Sequence, residues 1–191
     1  YVKEFNRYYD DGIETILKLR IEHSGINQDK NVKLLKAKYL LDHDINNIST
    51  LVQDLDNIFS EEDIVLVPYN LYRAHWVGMI FEKVDDNVII KYIDSENNSI
   101  PEKLEKELVA RLNDIGYKVE FIQEVLSYQQ TNNCGPEVIE NFIWYLTGAR
   151  LPQEKAVPFH SQLLEEALLF QSNENDVVSL VHLVGTEIEY I

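Results

Sequence analysis

The chain has 191 residues, 45% of them hydrophobic, and a formal net charge of −16 from 33 acidic and 17 basic residues. That size and apolar content suit one folded domain with its own core and exclude a disordered segment. The acidic surplus opposes binding to phosphate backbones and favours either a basic protein partner or plain solubility. A single cysteine excludes an intrachain disulfide and a cysteine-rich zinc site, and it fits a reducing, intracellular setting. No apolar run reaches the roughly 18 residues a membrane span needs, and no secretory leader is evident. Because the sequence opens on Tyr1 rather than Met, it is expected to be a domain of a longer protein.

In chain order, the first sixty residues read as helical. Asp11–Ile21 places Ile13, Ile16, Leu17 and Ile21 near helical spacing, Val32–Leu41 is a mixed stretch, and Asn46–Phe59 aligns Ile48, Leu51, Val52, Leu55 and Ile58 on one face. The pattern changes at Asp63. Ile64–Val67 is a β-branched run expected to end as a buried strand at Pro68. Strands at His75–Glu82 and Val88–Asp94, separated by the polar Val84-Asp85-Asp86-Asn87, predict a hairpin. Leu104, Leu108 and Leu112 predict a helix over Pro101–Ile115, and Lys118–Val125 reads as another strand. A polar loop, Ser127–Asn133, leads to Cys134, after which Val138, Ile139, Phe142, Ile143 and Leu146 mark a helix capped by Gly148. Gln162–Phe170 reads as helical, and Val177–Ile191 is apolar without an assignable type. No repeat or flexible linker interrupts the chain. The expected architecture is one α+β domain: a helical start, a central mixed sheet and flanking helices.

The chemistry centres on Cys134. A lone cysteine is most often a buried structural thiol. This one stands where a polar loop meets a helix N-terminus, where backbone N–H groups and the helix dipole favour a thiolate. Gly135 lets the backbone beside it approach a substrate closely, and its N–H can face an oxyanion. Of His23, His43, His75, His160 and His182, His75 alone opens a predicted strand beside an aromatic, and any other histidine is more simply a surface or core residue. His75 and Asp94 are nearly equidistant from the hairpin centre, so Asp94 can hold one ring nitrogen while the other serves Cys134; a solvated strand-end carboxylate is the plain alternative for Asp94. Gln129 and Gln130, in the loop before Cys134, are candidate oxyanion donors, or ordinary loop glutamines.

These residues, in this order, resemble a clan of cysteine proteases, clan CE, that contains the ubiquitin-like-protein (SUMO) proteases, the adenovirus-type proteases and bacterial effector deubiquitinases. The resemblance rests on Val65-Leu66-Val67-Pro68-Tyr69, His75-Trp76-Val77-Gly78-Met79-Ile80, Tyr92-Ile93-Asp94-Ser95 and Gln129-Gln130-Thr131-Asn132-Asn133-Cys134-Gly135-Pro136. It covers about Asp63 to Gly148. It implies a papain-like (adenain-like) protease fold with Cys134 as nucleophile, His75 as general base and Asp94 as its orienter. It also implies that Trp76 covers a narrow channel for a Gly-Gly tail, although core packing explains a tryptophan equally simply. The glutamine of this clan usually stands six residues before the cysteine, where this chain has Tyr128. Gln129 therefore takes the oxyanion role, with Gln130 as fallback and the backbone N–H of Cys134 or Gly135 beside either.

The implied activity is a cysteine isopeptidase, a deubiquitinase, cleaving after the C-terminal Gly-Gly of ubiquitin or a ubiquitin-like protein without metal or cofactor. By resemblance, Pro136 and the catalytic loop are closer to the effector branch, which points to ubiquitin and to an effector acting in a host cytoplasm. The alternatives are a SUMO or NEDD8 protease, a clan-related effector acetyltransferase (opposed by Asp94 where a Glu is usual, by Trp76 and by the acidic surface), and an inactive ubiquitin-binding module. Within the single domain, residues 1–62 are expected to grip the modifier, 63–148 to form the catalytic core and 149–191 to pack against it. Tyr8, Tyr9, Asp10 and Asp11 form an aromatic–acidic cluster that suits either a basic, apolar partner surface or a helix start with buried tyrosines.

Overall fold

The computed structural model describes residues 8–24, 31–40, 46–59, 64–124, 126, 129 and 133–170. Helix α1 (Asp10–Ser24) is followed by two three-residue strands, β1 (Val32–Leu34) and β2 (Lys38–Leu40), and by α2 (Asn46–Ile58). Then come β3 (Ile64–Leu71), β4 (His75–Val84), β5 (Asn87–Ile93), α3 (Glu102–Asp114), β6 (Lys118–Glu124), α4 (Cys134–Thr147) and α5 (Gln153–Phe170). Among the described residues the strands form one mixed sheet in the order β1-β3-β4-β5-β6, with β2 pairing β3 beyond the end of β1. The β3-β4 and β4-β5 pairs are antiparallel; β1, β2 and β6 pair in parallel with their neighbours.

The central strands read as unbroken apolar runs because both sheet faces are covered. Alternate residues separate into two cores. Val65, Val67, Tyr69, Val77, Met79 and Phe81 pack with Leu51 and Leu55 of α2 and Leu104, Leu108 and Leu112 of α3. Leu66, Trp76, Ile80 and Ile93 pack with Ile13, Ile16 and Leu17 of α1, with Val138, Ile139 and Phe142 of α4, and with Leu164 of α5. Gly148, at φ 75°, ends α4 by donating its N–H to the Trp144 carbonyl at 2.7 Å, the glycine cap expected from the sequence.

Three expectations are corrected. Val32–Leu41 is not part of a helical start; it holds β1 and β2, whose pairing partners lie in β3. Strand β3 continues through Pro68 to Leu71. Ile64 and Tyr72 donate their N–H groups towards the β1/β2 side, and Leu66 accepts there from Leu35. By alternation Pro68 faces the same side, opposite the gap between Leu34 and Lys38, so its missing N–H costs no ladder bond there. Helix α5 begins at Gln153, and Pro158 lies inside it. The Val177–Ile191 segment lies outside the described residues.

Helix α4 approaches the sheet closely at Gly78, where an added Cβ would stand 2.9 Å from Cε1 of buried Phe142. Gly78→Ala is therefore expected to destabilise the fold by about 1–3 kcal/mol through overpacking. Urea unfolding checks this, and an unchanged midpoint would mean that the ring moves aside freely.

Candidate active site

The site lies at the end of the sheet where β4 begins, β5 ends and α4 starts. His75 opens β4 after the turn Tyr72–Ala74, in which Tyr72 and Arg73 both take left-handed backbone conformations, φ 55° and 57°. Such geometry is costly for residues with side chains and concentrates at functional sites. The hairpin expected between β4 and β5 forms at the expected Val84–Asn87 turn, with Asp85-Asp86 at its tip, one residue after the midpoint between His75 and Asp94. The ladder pairs Gly78 with Ile93, so its continuation puts Asp94 opposite Val77 and makes His75 a diagonal neighbour. The two side chains still meet: His75 Nε2 and Asp94 Oδ1 are 2.6 Å apart.

Asp94 is fixed from the other side as well. Its Oδ1 accepts the Glu96 backbone N–H at 2.8 Å and its Oδ2 that of Asn98 at 3.2 Å. Burial works against its charge, but the His75 hydrogen bond, these backbone donors and the imidazole charge together hold its pKa below the usual carboxylate value. For His75, burial likewise opposes the charged form. The hydrogen bonds to Asp94 and Cys134, with the negative charge of both groups, outweigh it and push the imidazole pKa up to about 10. Cys134 is thus a neighbour of the ring and acts on its charge. With Asp94 on Nε2, Nδ1 is the nitrogen left to exchange a proton with sulfur. Cys134 is the first residue of α4 and is partly exposed. Such a set can generate a thiolate–imidazolium pair and shuttle one proton to a leaving group.

Gln129 sits beside this set. Its backbone N–H donates to the Ser95 carbonyl at 2.8 Å, its Oε1 accepts from Ser95 Oγ at 2.8 Å, and its Nε2 donates to Glu96 Oε1 at 2.8 Å. Since a carboxamide carries two N–H bonds, Glu96 engages one of them. Glu96, not singled out from the sequence, also lies 4.0 Å from His75 Nδ1. Gln130 and Tyr128 lie outside the described residues. An added Cβ at Gly135 would stand 2.8 Å from Tyr8 Cβ, so the missing side chain there accommodates Tyr8.

A cleft of about 490 Å³ runs up to Cys134, with Trp76, Tyr8, Tyr9, Asp10, Asn70 and Arg73 among its walls. Trp76 is 6% exposed, donates its indole N–H to the Tyr8 carbonyl at 3.0 Å and packs against Tyr39. The aromatic–acidic cluster divides: Tyr8 is buried at 2% exposure, whereas Tyr9, at 57%, is open. Asn70 was not anticipated. It is buried on the cleft wall, and its Oδ1 has no hydrogen-bond partner among the described residues. Among the described residues no group of His, Cys, Asp and Glu is arranged to hold a metal, and no helix is long and apolar enough to cross a membrane.

The raised pKa of His75 sets a pH dependence. Its contribution to stability is fully present below the unfolded histidine value of about 6.5 and is lost as pH rises towards 10. That of Asp94, whose pKa is lowered, is lost instead as pH falls below the ordinary carboxylate value. The stability difference between the parent and His75→Gln is thus expected to be largest near pH 5–6.5 and to shrink steadily up to pH 10. Thermal unfolding across that range measures it, and a difference that stays flat would contradict the pairing.

Residues 62–158, just over half of the chain, match the family described as RickCE-like, catalytic domain. Solved structures share the fold. The Rickettsia bellii effector protein RickCE is 15% identical with TM-score 0.58, over 91% of this chain and 98% of that one. The protease domain of Ulp1 in complex with Smt3, the yeast ortholog of SUMO, is 17% identical with TM-score 0.59, over 83% and 76%. The ASFV pS273R protease is 16% identical with TM-score 0.58, over 83% and 68%. No curated protein matches the chain. With the clan CE cysteine protease fold and this matched span, the chain belongs to the RickCE-like catalytic domain family.

Proposed function

We propose that the chain is a cysteine isopeptidase that releases ubiquitin from conjugates, cleaving after the modifier's C-terminal glycine. The observation that carries this is the grouping of His75 and Asp94 with Cys134, which with Trp76 lines the cleft. The fold shared with a Ulp1 structure bound to Smt3 supports a ubiquitin-like protein as the substrate class. The net charge of −16 and Asp10 on the cleft wall favour a modifier with a basic tail, which supports ubiquitin within that class.

In this reading the Cys134 thiolate attacks the carbonyl carbon of the terminal glycine. The C–S bond forms as the C=O π electrons move onto oxygen, and the backbone N–H at Cys134 and the second amide N–H of Gln129 donate hydrogen bonds to that oxyanion. As the tetrahedral species collapses, the C–N bond breaks and the lysine amine leaves with the Nδ1 proton of His75. Neutral His75 then deprotonates a water that attacks the thioester, the C–S bond breaks, and the modifier departs with a free carboxylate while the thiolate–imidazolium pair is restored. Asp94 stabilises the imidazolium in both halves without taking its proton.

Ubiquitin, SUMO and NEDD8 carrying a C-terminal electrophile give the direct test, read as a mass shift. The ubiquitin probe is expected to form an adduct that Cys134→Ala abolishes. Reaction with SUMO or NEDD8 instead would reassign the modifier, and a folded protein that reacts with none of the three would refute the isopeptidase reading. His75→Ala is expected to lower kcat/KM by a factor on the order of a thousand or more, and near-parental turnover in that variant would remove His75 from the mechanism.

A further inference from the structure

The mechanism leaves unused a buried polar chain behind the nucleophile. The Tyr8 hydroxyl lies 3.2 Å from His160 Nδ1, and His160 Nε2 lies 2.8 Å from Glu140 Oε1. Arg20 closes the chain with a two-point contact to Glu140 at 3.0 and 2.8 Å, and the Leu151 backbone N–H adds a donor at 2.9 Å. His160 and Glu140 are completely buried.

Proton placement follows from this set. Burial opposes the Glu140 charge, but the hydrogen bonds from His160, Arg20 and Leu151 hold its carboxyl below the usual range, so it accepts. Burial keeps His160 neutral despite Glu140. A neutral ring giving Nε2–H to Glu140 presents Nδ1 as an acceptor. Tyr8, whose pKa is raised first by burial and then by Glu140, keeps its proton and donates it there.

The far side of Tyr8 meets the cleft. Its Cβ fills the space beside Gly135, its carbonyl holds the Trp76 indole, and Tyr8, Tyr9 and Asp10 form one cleft wall. Neither Tyr8 nor His160 lies within the span 62–158 matched by the family.

We propose that His160 is a positioning residue that acts through Tyr8: the buried His160–Glu140–Arg20 set locks the Tyr8–Asp10 strap against Trp76 and Gly135 and so shapes the cleft for its extended peptide tail. This deepens the isopeptidase reading and rests on it for the identity of the tail. The strap acts on binding, because its groups touch the cleft wall and Gly135 whereas the reacting proton belongs to His75.

Tyr8→Phe deletes one hydroxyl while keeping the ring against Gly135 and the carbonyl on Trp76. His160→Gln keeps a polar group behind it. For both, the KM for a fluorogenic modifier substrate is expected to rise roughly fivefold, the effect of losing one buried hydrogen bond. kcat and the alkylation rate of Cys134 by iodoacetamide should stay within about twofold. In a Trp144→Phe background, Trp76 emission should become more accessible to acrylamide quenching. Unchanged KM with Trp76 as shielded as in the parent, in folded variants, would overturn the proposal. Alkylation that falls in step with kcat would overturn it too, by placing the pair in the chemistry. If the parent cleaves no modifier, the isopeptidase reading fails, and Trp76 quenching still decides whether the strap depends on His160.

Discussion

The contact on which the site depends is the 2.6 Å bond between His75 Nε2 and Asp94 Oδ1. It joins the first residue of one strand to the residue after its neighbour's end, at a point where the ladder no longer pairs backbones. An imidazole there would otherwise be held on one side only, and burial would favour its neutral form. With Asp94 ionised by two backbone N–H groups, the ring keeps its charge and a fixed orientation, and Nδ1 is left for sulfur. The same short turn also places Gln129, since Ser95 and Glu96 hold both ends of its carboxamide. The turn Asp94–Asn97 thus orients two side chains, those of His75 and Gln129.

The principal elements were legible because their signals are local. The leucines of α3, spaced four residues apart, and the glycine after α4 need no knowledge of the rest of the chain. His75 and Asp94 were readable through hairpin geometry, although they sit one residue off the centre of the Asp85-Asp86 turn, so that they meet as a diagonal pair and not a facing one. Strands β1 and β2 were not legible. Three residues carry no readable period, and what makes them strands is a β3 edge some thirty residues away. Pro68 misled for a related reason, since the cost of proline in a strand depends on which side its nitrogen faces.

The Tyr8–His160–Glu140–Arg20 set was beyond sequence reasoning altogether. Tyr8 and His160 are 152 positions apart, and each residue alone reads as an ordinary aromatic, a stray histidine or a charge on a helix. Only the packing of α1, α4 and α5 against one sheet face turns them into a connected set. The same packing explains the two helical glutamates at 2% and 0% exposure, Glu137 and Glu140, each matched to an arginine, Arg150 and Arg20. Patterning alone would have assigned those carboxylates to solvent.

The spacing of the three central residues also bears on how the chain acquires its structure. His75 and Asp94 belong to a single hairpin closed by a two-residue turn, whereas Cys134 reaches them only after the β5–α3–β6 crossover is laid down and α4 docks. Short loops close at small entropic cost and long ones later. In a chain emerging from the ribosome, the local contact between His75 and Asp94 can therefore form before Cys134 is brought to it.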